Sequence, residues 1–192
     1  DGGGYKVSGG LHGVGASVVN ALSSLCEVTV YKNGGVYYVK FVDGGKITEH
    51  LKRVGDCDET QHGTTVHFLP DPSIFTETTV YNYETIKNHL RQMAFLNGGV
   101  RITLTDLRPE TPVSETFQYN GGIKEYVAFI NQGRLPVNNE VLYAQGAEEV
   151  TLLDGQTERI YAEVALQWTD YYNHDGVYSF CNNISTKEGG TH

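Results

Sequence analysis

Three cysteines in 192 residues, Cys26, Cys57 and Cys181, are too few and too scattered to staple the chain. Their number is odd and no Cys-x-x-Cys pair occurs, so a disulfide framework is excluded and reduced, buried thiols are expected. Long apolar runs are also missing. None approaches the ~18 residues that a membrane helix needs, and no basic segment followed by an apolar stretch points to secretion. A cytoplasmic setting without a membrane partner is therefore expected. Basic charge is scarce, with Lys+Arg 14 against Asp+Glu 23 and a net charge of −9. Surfaces that grip DNA are expected to be basic, so a stand-alone DNA-binding module conflicts with this balance. Hydrophobic residues at 39% and charged residues at 19% nevertheless suit a folded chain.

Two phosphate-loop patterns are absent as well. A Walker A loop needs Lys and then Ser or Thr after its last glycine, whereas Ala16 and Ser17 follow Gly15. The dinucleotide fingerprint needs a further glycine three residues after Gly15, where Val18 stands.

What is present is the run Gly9-Gly10-Leu11-His12-Gly13-Val14-Gly15, followed at once by helix-forming Ala16 to Leu22. Glycines at this density let the backbone turn sharply and aim several N–H groups at one point. A helix starting there adds its unpaired first-turn donors and the positive end of its dipole. Together these make an anion site whose usual occupant is phosphate. With no lysine in the loop, backbone amides must carry most of the contact. The same spacing, taken alone, also fits a plain glycine-rich turn before a helix.

The longer run, Gly4-Tyr5-Lys6-Val7-Ser8 through Ala21-Leu22-Ser23, closely resembles the ATP-lid segment of the bacterial DNA gyrase B family. Gly63-Thr64-Thr65-Val66-His67-Phe68 is similar to that family's Gly-Thr strand, which lines the nucleotide pocket. Phe95-Leu96-Asn97, Tyr119 to Lys124, Asn182-Asn183-Ile184 and Gly189-Gly190-Thr191-His192 continue the likeness in the same order. The ATPase component of topoisomerase IV shares most of these blocks and is the close alternative. A non-enzymatic interaction module that kept the fold and lost its nucleotide is the rival from another class.

The resemblance implies an α/β (α+β) chain. Residues 1–120 would be the C-terminal part of a two-layer sandwich ATPase domain with one mixed sheet, of the gyrase, Hsp90, histidine kinase and MutL type. Residues 121–192 would begin a transducer domain with a ribosomal-protein-S5-like fold. It also implies that Gly10, Leu11, His12, Gly13, Val14 and Gly15 wrap the γ-phosphate of ATP. Tyr5 would reach the adenine through its hydroxyl, and Thr64 would reach it through a hydroxyl and an ordered water. Lys32 stands where the family usually has an arginine near the pocket rim; it keeps the charge but not the planar fork. The general base, the Mg²⁺ ligand and the adenine-reading Asp belong to segments before Asp1, so no catalytic or metal residue is expected within the chain. Implied partners are DNA, gyrase A and a second copy that associates when ATP is bound.

Periodicity supplies the rest. Alternation predicts strands at Glu27–Tyr31, Val36–Val42, Ile47–Leu51 and Thr64–Leu69, with turns at Asn33-Gly34-Gly35 and Asp43-Gly44-Gly45. Ile86, Leu90, Met93 and Ala94 mark an amphipathic helix stopped by Asn97-Gly98-Gly99, followed by a strand at 100–104. Ile123, Tyr126, Val127 and Ile130 mark another helix face. The acidic stretch from Arg134 to Glu158 reads as irregular, and the resemblance, whose pattern is shorter there, implies a surface-loop insertion at Tyr143–Glu158. Strands are expected at Tyr161–Trp168 and Val177–Asn182, with Trp168 in the core. His62 and His67 stand an odd number of residues apart, so on a strand they face opposite sides and cannot share a metal.

Overall fold

A computed structural model describes residues 14–151, 155–171 and 176–186. The elements form two compact units, one ending at Tyr81 and the other beginning at Asn82.

In the first unit, α1 spans Gly15–Ala21 and passes directly into β1, Ser23–Lys32. Ser23 Oγ donates to the Val19 carbonyl at 2.6 Å, closing the helix at the point where the strand begins. The strands β2 (Gly35–Val42), β3 (Lys46–Asp56) and β4 (Gly63–Pro70) complete an antiparallel sheet of order β3-β2-β1-β4. Asn33 and Gly34 both take positive φ, 52° and 70°, between the paired residues Lys32 and Gly35. That is the two-residue turn whose twist matches its flanking strands, and it fixes the register of β1 on β2.

Register then sorts the side chains. Cys26, Val28 and Val30 face the same way as Phe41, Val39 and Tyr37 on β2 and as Phe68, Val66 and Thr64 on β4. Glu27 and Thr29 face the opposite way, beside Lys40 and Tyr38 and beside His67 and Thr65. One face is apolar and the other polar, as expected of an antiparallel sheet covered on one side only.

In the second unit, α2 spans Tyr83–Leu96, with the Asn82 side chain accepting the Thr85 amide at 2.9 Å as its N-cap. The hairpin β5 (Ile102–Asp106) and β6 (Val113–Phe117) packs on α2, and α3 spans Ile123–Ile130. The core is aromatic. Phe95, 1% exposed, stacks on Tyr119 with centroids 3.5 Å apart and meets Tyr126 and Phe129 at 5.0 and 5.3 Å. Arg108 forks onto Asp106 at 2.6 and 2.8 Å, and this bidentate contact holds the Asp106 carboxyl down to about 2.

Several expectations change here. The stretch read as irregular carries β7 (Leu142–Thr151) and the start of β8 (Thr157–Leu166), whose later part falls on the strand expected at Tyr161–Trp168; the two form a ribbon paired from Leu142↔Leu166 to Thr151↔Thr157. The acidic side chains at Glu148, Glu149, Glu158 and Glu163 hid its alternation, yet an exposed ribbon tolerates them. Trp168 is not core: it is 59% exposed. Its apolar neighbours Val164 and Leu166 are exposed as well, because the ribbon face carrying them has no covering layer among the described residues. Strand β6 was not expected. The strand expected over Val177–Asn182 shrinks to β9 (Phe180–Cys181), turning through Asn182 and Asn183 into β10 (Ile184–Ser185). All described strand pairs are antiparallel, so the mixed sheet is not seen among them. Of the thiols expected to be buried, Cys26 is buried, Cys57 half-buried and Cys181 exposed.

Candidate functional site

The glycine loop is the site that sequence singles out, and its position is set by α1. Tyr5, Gly10, Leu11, His12 and Gly13 lie outside the described residues; Val14 and Gly15 lie within them. Val14 supplies no side-chain cap, and no acidic residue stands in the first turn of α1. The first helical hydrogen bond runs from Val18 N to Val14 O at 2.9 Å. The amides of Gly15, Ala16 and Ser17 precede it, as the orphan donors of a helix start do. Among the described residues, a Cβ built on Gly15 would meet nothing within 4 Å. The helix is only seven residues long, so its macrodipole is small and the free amides matter more. These features suit an anion and offer nothing to a cation.

Below α1, Val18, Val19 and Leu22 close over Phe68, Pro70, Phe75 and Val80 around an apolar hollow of about 230 Å³. Thr64 shares the sheet face of Phe68 and lies six residues from Pro70 along β4, about 20 Å in extended chain. Lys32 ends β1 at that same end of the sheet, two residues beyond Val30, the partner of Thr64. The alternation of β1 puts Lys32 on that same face. Thr64 and Lys32 thus come together on the α1 side of the sheet.

On the opposite face lies a cluster that sequence reasoning missed. Tyr38 donates its hydroxyl to Glu27 Oε1 at 2.6 Å, and His67 Nδ1 donates to Oε2 at 2.7 Å. These hydrogen bonds, Tyr38's first, hold the Glu27 carboxyl below its ordinary range. The same carboxylate pushes the Tyr38 hydroxyl up to about 12. The three residues tie β2, β1 and β4 together across the polar face. Alternation shows that Glu27 and His67 are strand residues; only the register shows that they are opposite one another. Among the described residues, no group of three or more His, Cys, Asp or Glu side chains could hold a metal ion. None of their helices is long and apolar enough to cross a membrane.

Comparison with known proteins places this geometry. A family model described as DNA gyrase B matches residues 122–192. The DNA gyrase B protein of Enterococcus faecalis is 48% identical over 191 residues, covering 100% of this chain. The chain belongs to the DNA gyrase B family. The DNA gyrase B protein of Halalkalibacterium halodurans is similar at 47% identity over the same span. The chain covers 28% of the length of each of these relatives. A solved structure of the 43K ATPase domain of Thermus thermophilus gyrase B, in complex with an aminocoumarin, matches with TM-score 0.75 and 29% identity. That match covers 91% of this chain and 44% of the other. The fold is accordingly a partial gyrase B ATPase-region fold, mixed α/β with antiparallel sheets.

Proposed function

We propose that this chain is the lid-to-transducer segment of a gyrase B protein, one component of a type II DNA topoisomerase. The whole protein would couple ATP binding and hydrolysis to DNA strand passage and negative supercoiling. The observation that carries this reading is likeness to DNA gyrase B along the whole chain, glycine loop included, at 48% identity. A boundary near residue 120 between nucleotide-binding and transducer parts is supported by the family model, whose match begins at residue 122.

In this reading Gly10 to Gly15 fold over the triphosphate, and the first-turn amides of α1 donate to its oxygens. ATP supplies the phosphoric anhydride and, with Mg²⁺, the charge that these donors meet. Thr64 directs its hydroxyl toward the base from the apolar face of the sheet, and Tyr5 does so from the lid. Lys32 sets positive charge at the rim. The general base and the magnesium ligand are assigned to parts of the protein preceding Asp1, and the isolated 192 residues are expected to show no ATPase. Bound nucleotide can favour a closed state only through its differential affinity for that state; ordering of the lid on the γ-phosphate supplies the difference. DNA, gyrase A and a second copy of gyrase B are the proposed partners.

The test is Gly13→Val in the full-length protein. A branched side chain at that glycine blocks close approach of the loop amides to phosphate. ATP-driven supercoiling is expected to disappear while ATP-independent relaxation remains, both read on plasmid gels. Supercoiling at the wild-type rate would discard the lid assignment.

A further inference from the structure

The second unit holds a cleft that the nucleotide reading does not use. Between α2 and α3 lies a cavity of about 480 Å³, within the range of small-molecule sites. Its floor is aromatic, formed by Phe95, Tyr126 and Phe129, with Tyr178 at the side, and its polar wall includes Arg91 and His89. No carboxylate stands among the described residues that line it.

Arg91 is the informative group. Its side chain is only 23% exposed. The guanidinium lies 5.3 Å from the Phe117 ring centroid and 5.4 Å from that of Phe129. Its one ion-pair partner among the described residues is Glu115, whose carboxylate is 3.9 Å away. The nearer oxygen is Oε2, beyond hydrogen-bond reach, while Oε1 of the same carboxylate accepts the Tyr83 hydroxyl at 3.0 Å and pairs with Lys87 Nζ at 3.4 Å. Within the described residues, Arg91 makes no hydrogen bond, so a planar fork of donors is fixed between two rings with its hydrogen-bonding capacity unspent. Gln92, by contrast, is committed, donating to the Tyr126 hydroxyl at 2.9 Å.

We propose that the α2–α3 cleft binds a planar aromatic anion, its ring against Tyr126 and Tyr178 and its anionic group on the Arg91 fork. Guanidinium forks match carboxylate and phosphate geometry bidentately, and such charge-assisted bonds are stronger than neutral ones. The aromatic floor adds offset or edge-on ring contacts. Tyr126 is stacked on Phe95 by one face and meets Tyr178 edge-on at 6.0 Å, and the half-exposed Tyr178 ring supplies the open aromatic surface.

The probe is 2-naphthoate, added to the full-length protein already saturated with a nonhydrolysable ATP analogue, so that the nucleotide site is blocked. Saturation-transfer NMR is expected to show saturable binding. The neutral 2-naphthamide should bind about tenfold more weakly or worse, and Arg91→Gln should cost naphthoate a similar factor. Tyr178→Ala, at an exposed position that threatens no core, should weaken both probes about threefold or more. Equal binding of the acid and the amide would overturn the proposal. So would unchanged naphthoate affinity in Arg91→Gln or in Tyr178→Ala. Retention of the nucleotide analogue, measured in the same sample, keeps this result separate from the proposed ATPase function.

Discussion

In the second unit Phe95 is 1% exposed and ringed by Tyr119, Tyr126 and Phe129, whereas on the sheet of the first unit Val66 is 54% exposed. Val66 sits on a face that its sequence marks as apolar, whereas Phe95 sits on the helix face opposite the apolar stripe. Phe95 falls on the side of α2 that carries Asn88, Arg91 and Gln92, away from Ile86, Leu90 and Met93, and α3 packs against the helix there. Val66 falls on the strand face of Val28 and Val39, which among the described residues is covered in part, by the short α1 and the segment 75–81 around Phe68. The opposite, polar face needs no cover, because Glu27, Tyr38 and His67 satisfy one another across three strands. The difference teaches that one unit has its own core, while the other presents half of a sandwich. That agrees with a chain spanning 28% of the relatives' length.

The sharpest way to break this contrast is by truncation. Phe95→Ala should destabilise the chain by about 3–5 kcal/mol, since it removes a fully buried ring and leaves a cavity. Val66→Ala should cost less than about 1 kcal/mol in the same chain, because little of its surface is removed from water. Denaturant melts of both variants check the pair. Costs of equal size would erase the distinction between a closed core and an open face.

A smaller effect sharpens the account of the polar face. Tyr38 has its hydroxyl raised from 10.0 to about 12 by the Glu27 hydrogen bond. A group raised in the folded state contributes stability that is complete below its unfolded value and is lost as pH climbs through the folded one. The loss attributable to Tyr38 should therefore run from pH 10 to about 12. Tyr38→Phe should lower stability across the neutral region and flatten the alkaline limb, so that the two stability–pH curves converge by about pH 12. An identical alkaline limb in both proteins would show that the hydrogen bond does not couple to folding.

Much of this was legible in the chain itself. The turns at Asn33-Gly34 and Asp43-Gly44-Gly45 announce two hairpins, and both occur with the positive φ values that those residues tolerate. The spacing of Ile86, Leu90, Met93 and Ala94 announces α2, and Asn97-Gly98-Gly99 announces its end. Strand β7 and the start of β8 were hidden because exposed strands need not alternate apolar with polar, and several of their residues are glutamates. Trp168 misled for the converse reason: alternation with Val164 and Leu166 shows a strand face, but not whether anything lies on it. Within the site, residue type placed Thr64 on a strand, while only register could set it with Lys32 on the α1 side. Arg91 gave no signal in sequence, since its significance lies in what surrounds it: two rings, and a carboxylate already engaged elsewhere.

The central claim is that main-chain donors at the start of α1 hold a triphosphate. Isothermal titration calorimetry of the full-length protein with a nonhydrolysable ATP analogue tests it most directly. The account predicts a saturable heat in the wild-type protein and its loss in Gly13→Val, whose thermal melt stays unchanged. Equal heats in the two proteins, or none in the wild type, would contradict it.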